Sequence, residues 1–354
     1  MQTKEVEENL KSEAAEKVAS PETLSVWGLA WPSILANILF ASVGVVSLKA
    51  VGSLGTDAVA AVGTGTRIFF VIQSIMMAIS TGTTALVAKA YGARKYQEAS
   101  QVLYDSILIS IFLSFISIFI IWFAGEDLMS LFGLQEEAQI LAVDYMKTFI
   151  VFSPTFGVAI VVGAAFRAAG QVKIPLVIGL IQNALNIYLL LGLVNGNYGF
   201  PEMGVVGAAY AGGISFSFGC FLMLLVWYFG IVSIPRPNIK EFLFYRFRSL
   251  VRVSTPAGLE QGVFQLGLLI YFWIVSLYGN APIAAYNVGI NILMLSFMVG
   301  QGFTVAGATL TGQFLGAENP KEAKRSGWRS AGLTMGSMGI LGIVLALASR
   351  PIAG

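Results

Sequence analysis

Apolar positions in this chain neither alternate at the period of a strand nor mark a single face of a helix. They run on in long blocks separated by short polar stretches. Nine blocks can be drawn, at about 25–52, 57–88, 100–124, 141–167, 174–194, 204–232, 250–278, 282–314 and 328–349. A hydrocarbon core about 30 Å thick is crossed by roughly 20 apolar residues in a helix. Each block therefore predicts one spanning helix, and several are long enough to tilt or protrude. They are too long and too uniform for the strands of a membrane barrel. The predicted fold class is an all-α membrane protein, a polytopic helical bundle.

Residues 1–23 differ in kind. MQTKEVEENLKSEAAEKVASPET mixes Glu and Lys and has no apolar stretch of the signal-peptide type, so it reads as a polar cytoplasmic tail. Alternating the loops from an inner N-terminus puts 17 of the 21 Lys and Arg residues inside, leaving Lys49 and Arg350 outside and Arg67 and Lys147 within helices. That bias orients the N-terminus toward the cytoplasm and predicts a multi-pass protein of the cytoplasmic (inner) membrane. Positive-inside sorting also accounts for the net charge of +2, so no nucleic-acid partner is implied.

Pro32 to Ala99 recurs without a gap 224 positions later, as Pro256 to Ala323. VGSLGTDAVAAVG (51–63) overlays VSLYGNAPIAAYN (275–287), and AYGARKYQEA (90–99) overlays FLGAENPKEA (314–323). Six crossings separate the copies, so both start from the same side and form parallel repeats. The expected organisation is a tail (1–23), a six-helix N-lobe (24–234), a basic cytoplasmic linker (235–249) and the first three helices of a C-lobe (250–354). Nine helices are present where the repeat implies twelve, so the second copy is expected to be cut short after the ninth helix.

Composition narrows the chemistry. The chain is 56% hydrophobic and 11% charged, with a mean hydropathy of +0.78. It has no His, which removes His-based metal sites, catalytic triads and His proton relays. Its one Cys, Cys220, allows no internal disulfide. No GxxxxGK[ST] sequence occurs, so uphill work needs an ion gradient or another subunit. Neither an enzyme nor a cofactor is expected, and no obligate protein partner is evident.

Polar groups at membrane depth are the candidates for function, because leaving them in lipid is costly. Glu260, four residues after Pro256, has Gln261 and Gln265 nearby; it could bind a cation or a proton, or be a helix-terminal charge satisfied at the interface. Arg67 should face a cavity or a carboxylate, attracting an anionic substrate group or holding a gate. Asn183 and Asn186 lie three apart and can present amides on one helix face. Tyr286, Asn287, Asn291 and Gln301 form a comparable set in the eighth span. Pro32 and Pro256 would each free a carbonyl and kink a helix, as a hinge or as a static bend. Gly92 and Gly316 read as helix ends before short cytoplasmic turns.

Taken in order, Trp31-Pro32, VGSLGTDAVAAVG, the GAR…EA turn, FRAAGQVKIP, Asn186, GFPEMGVVGAAYA, TPAGLEQ, LYGNAPIAAYNVGIN and MVGQGFTVAGATLTGQFLGAENPKEA resemble the multidrug and toxic compound extrusion family, within the wider group that includes lipid-precursor flippases. The resemblance implies export of drugs or cationic amphiphiles in exchange for H⁺ or Na⁺ by alternating access. A flippase for a lipid-linked precursor is the alternative, with Arg67 and Lys49 as phosphate partners; a channel or membrane enzyme is a third. It also supports Asn186 as cavity-lining. Members often carry acids where this chain has Ser47, Leu190 and Phe264. The usual N-lobe cation site is therefore not expected, and coupling would fall to Glu260 or to an acid beyond this sequence.

Overall fold

The computed structural model describes residues 24–130, 132, 135–237, 244–277 and 280–347. Their secondary structure is helical. Helices α1 (Val26–Gly52), α2 (Thr56–Gly92), α3 (Tyr96–Ser130), α4 (Glu136–Ile150), α5 (Ser153–Ala168), α6 (Lys173–Asn195) and α7 (Gly204–Tyr228) make up the first copy. Helices α8 (Phe244–Ser276), α9 (Asn280–Gly316) and α10 (Pro320–Leu347) belong to the second. Five helices of the first copy are long and apolar enough to cross a membrane, six crossings if α4 and α5 count as one. The chain is a multi-pass membrane protein.

One predicted span is corrected. The block at 141–167 is not one helix but two, α4 and α5, bent by 53° at a short break. Pro154 supplies the reason: it has no N–H for the Ile150 carbonyl, and its ring clashes with that carbonyl in a continuing helix. By contrast, Pro32 and Pro256 sit inside helices that continue through them.

Lipid tails are as apolar as Leu, so membrane helices associate through close packing and hydrogen bonds rather than through apolar burial. Helix α3 shows how the sequence arranges this. Ser106, Ser110, Ser114 and Ser117 form a buried seam, while Phe112, Phe115, Phe119 and Phe123 stand exposed on its outer face. Each seam hydroxyl is satisfied by a carbonyl of its own helix, and Ser114 Oγ also reaches the Ser153 carbonyl of α5 at 3.1 Å.

The two copies meet about a pseudo-twofold axis whose contacts obey the 224-residue offset. A Cβ on Gly92 would strike the backbone oxygen of Gln313, and a Cβ on Gly316 would strike that of Lys89. Adding 224 to Gly92 gives Gly316, and subtracting 224 from Gln313 gives Lys89, so each pair is the symmetry mate of the other. The same holds for Ala78 with Gly258, where a Cβ on the glycine would lie 3.4 Å from Ala78 Cβ, and for Ile34 with Gly302, whose Cβ would lie 3.0 Å from Ile34 N. The turns that follow are also duplicates. Lys95 N donates to Ala90 O at 2.9 Å and Asn319 N to Phe314 O at 2.9 Å. Arg94 and Glu318, also 224 apart, both sit at φ 58°, in the left-handed region.

The Gly92–Gly316 crossing lies at the end of the molecule that carries Lys89, Arg94, Lys95, Arg167 and Lys321, called here the basic end. Gln313, fully buried, donates from Nε2 to Ala168 O at 2.7 Å and so caps the end of α5. Arg246 at the start of α8 adds a second tie: Nε lies 3.2 Å from Asp105 Oδ2 and Nη1 2.6 Å from Gln101 Oε1, both on α3. Gly92 and Gly316 are thus more than helix ends; they are the crossing point of α2 and α9.

Two measurements of thermal unfolding in detergent check this packing. Gly92→Ala or Gly316→Ala should each cost about 1–3 kcal/mol, the scale of overpacking against unyielding backbone. Gly339→Ala, where nothing lies within 4 Å, should be neutral or slightly stabilising. Arg246→Ala should cost about 3–5 kcal/mol by stranding a buried carboxylate, with part recovered when Asp105→Asn is added.

Candidate functional site: an aromatic cavity in the first copy

Within the first copy, α1, α2, α4, α5, α6 and α7 enclose a cavity of about 450 Å³. The size falls in the usual range for small-molecule sites. Its wall is built by a continuous chain of rings. Phe40 meets Phe216 at 6.3 Å between centroids, Phe216 meets Phe156 at 4.7 Å, Phe156 meets Phe69 at 5.2 Å, and Phe69 meets Phe149 at 4.4 Å. Tyr145 completes it, stacked on Phe149 at 5.7 Å.

The α4–α5 break makes this convergence possible. Phe149 ends α4 and Phe156 lies in the first turn of α5, and the bend between them lets both reach Phe69 from opposite sides. Glycines on the facing helices make room. A Cβ on Gly212 would lie 2.9 Å from Phe149 Cε2, and one on Gly65 2.7 Å from Tyr145 Cδ1; Gly213 likewise admits Phe152.

Polar groups are few. Arg67, Asn183 and Asn186 line the cavity together, as do Ser47 and Leu190. Arg67 follows Thr56 by eleven residues, about 16 Å along α2 and near mid-membrane depth. Thr66 Oγ1 lies 3.5 Å from Tyr145 OH. Among the described residues no Asp, Glu or Lys lines the cavity, and Arg67 is the charged side chain there.

Glu260, Gln261, Gln265 and Gln301 are not brought to this cavity. Glu260 is exposed on α8, and Gln261, Gln265 and Gln301 are half-buried on α8 and α9. The side chains of Tyr286, Asn287 and Asn291 lie outside the described residues. Phe264 stacks on Phe297 at 5.6 Å, away from the cavity. A larger opening of about 850 Å³ lies between the start of α1 and α10 at the basic end and holds none of the predicted residues.

Sequence reading missed Gln73, Gln182 and the ring chain. Gln73 carried a usable signal: it is a polar residue at depth on α2, six positions after Arg67. The rings carried none, because Phe is equally common on the lipid face. Cysteine accessibility checks the cavity. Ser47→Cys should react with a small maleimide, while the unmodified chain, whose Cys220 is 4% exposed, should not. Equal labelling of both would rule out an open cavity at Ser47.

Comparison with known proteins places this geometry. The chain is 29% identical to a probable multidrug resistance protein NorM of Thermotoga maritima over 317 residues, 88% of this chain and 68% of that one. It is 26% identical to the multidrug resistance protein NorM of Burkholderia vietnamiensis, over 97% of this chain and 74% of that one. Its fold matches a solved outward-facing multidrug resistance MATE transporter with a TM-score of 0.87 at 19% identity, covering 95% of this chain and 74% of the other. It also matches a MOP superfamily transporter of Pyrococcus furiosus, described as having a binding pocket of reversed polarity, with a TM-score of 0.86 at 19% identity over 94% and 74% of the two chains. The MatE family model matches residues 32–191 and 256–354, which takes in both copies of the repeat, and the chain belongs to the MatE family.

Proposed function

We propose that this chain is a secondary transporter, not an enzyme, that exports small amphiphilic drugs or metabolites across the cytoplasmic membrane. The aromatic cavity at membrane depth carries that reading: it is large enough for a drug-sized body and offers stacking faces with few fixed polar contacts. Multidrug resistance proteins are among the relatives, which supports the same class of cargo. The N-terminus is placed on the cytoplasmic side, so the basic end faces the cytoplasm. The two copies then rock about their pseudo-twofold axis, and parting of the Gly92–Gly316 crossing opens the cavity inward.

Drive comes from an H⁺ or Na⁺ gradient. With no carboxylate lining the cavity, Glu260 in the middle of α8 is the acid proposed to bind the coupling ion. Arg67 favours one second reading, flipping of a lipid-linked precursor whose phosphate would meet the guanidinium.

Dye efflux from vesicles, with the protein expressed from its own gene, tests the main reading. An imposed H⁺ or Na⁺ gradient should drive efflux, and Glu260→Gln should reduce the gradient-driven part at least about tenfold, as expected when a coupling carboxylate is lost. Undiminished efflux in Glu260→Gln would remove Glu260 from the coupling role.

A further inference from the structure

The cavity makes a sharper statement about its cargo, one that rests on its being the substrate site. Resemblance alone suggests a cationic amphiphile, yet the charge inside the cavity has the opposite sign. Arg67 brings a planar guanidinium with five N–H donors and a positive charge. Among the described residues it has neither an ion pair nor a hydrogen bond, and none of the described residues lining the cavity with it is acidic. In a site with low-dielectric walls that charge repels a cation more strongly than the ring faces attract one, and it attracts an anion without a competing partner.

A second observation shows a buried polar group in the same cavity that is open to a ligand. Gln73 is only 9% exposed, lines the cavity, and leaves its Oε1 without a partner. Turning the amide about its last torsion presents Nε2 to an acceptor instead. Asn183, Asn186 and Thr66 add N–H and O–H donors around the same space. Phe69, Phe149 and Phe156 supply an apolar bed beside them.

We infer that the cavity binds an anionic amphiphile: a carboxylate, sulfonate or phosphate held by Arg67, carried on an aromatic or apolar body lying against the phenylalanine wall. The anionic group could belong to a free molecule or to a lipid headgroup. The shared chemistry is the same, and the cavity volume of about 450 Å³ suits a free molecule of drug size better than a whole two-chain lipid.

Three fluorescent probes with one ring system separate the possibilities: 1-pyrenebutyrate, 1-pyrenebutanol and trimethyl(pyren-1-ylmethyl)ammonium. Binding to the purified chain in phosphatidylcholine nanodiscs is read by anisotropy at fixed ionic strength. The carboxylate should bind about tenfold or more tightly than the ammonium, the scale of one charge-assisted contact. Arg67→Gln should abolish that preference by weakening the carboxylate and relieving the repulsion on the ammonium, with the alcohol unchanged, and Arg67→Lys should keep most of it, which separates charge from misfolding. Phe70→Ala, on the cavity wall, should weaken all three probes together.

An ammonium bound by the unmodified chain more tightly than the carboxylate, or an unchanged carboxylate in Arg67→Gln, overturns the anionic assignment while leaving the cavity as the site if Phe70→Ala still weakens every probe. Indifference of all probes to both Phe70→Ala and Arg67→Gln removes the cavity as the substrate site, and both readings fall. Phosphatidylglycerol discs then identify the source of the anion. Loss of pyrenebutyrate binding that requires Arg67 supports a lipid headgroup, and unchanged binding supports a free amphiphile.

Discussion

Two glycines, 224 residues apart, set the geometry on which the rest of this molecule depends. Gly92 and Gly316 let α2 and α9 cross so closely that each backbone fills the space where the other would carry a Cβ. In lipid no difference in apolar burial draws helices together, so such contact has to come from shape and hydrogen bonds. The crossing supplies the shape, and Gln313 capping Ala168 at 2.7 Å supplies a bond at the same level. Because the two contacts are symmetry mates, they fix the axis as well as the distance. Gly258 against Ala78 and Gly302 against Ile34 continue the seam along α8 and α9.

The cavity uses the opposite device. Where the crossing needs helices unbroken and small, the cavity needs one broken and its neighbours hollowed. Pro154 ends α4, the 53° bend turns Phe149 and Phe156 toward Phe69, and Gly65, Gly212 and Gly213 receive the displaced rings. If this cavity takes the proposed cargo, an apolar wall leaves discrimination to its polar groups, with Arg67 foremost among them.

Much of this was legible in the chain, for identifiable reasons. Spanning helices announce themselves by length, and a repeat by its register, so the helices and the offset of 224 could be read directly. The offset even located the crossing, since Gly92 and Gly316 were already paired; only their contact across the axis was hidden. Arg67, Asn183 and Asn186 stood out because polar groups are rare at depth, and the structure brings them to one cavity. Glu260 stood out by the same rule and does not join them, because helical position tells depth but not which way a side chain faces. The break at Pro154 was missed because an apolar block continues through it. The aromatic wall was invisible because lipid-facing and cavity-facing Phe look alike in sequence.

The account stands or falls on whether the two copies meet along the seam that runs from the Gly92–Gly316 crossing through Ala78 and Gly258, and must part along it for transport. A disulfide between Ala78→Cys and Gly258→Cys tests both at once, since their Cβ positions lie 3.4 Å apart, close to the range a disulfide spans, and Cys220 is buried. The prediction is rapid cross-linking in membranes under mild oxidation, with export by the protein expressed from its own gene falling to background and returning on reduction. Failure of the pair to cross-link, or undiminished export with the bond formed, would contradict it.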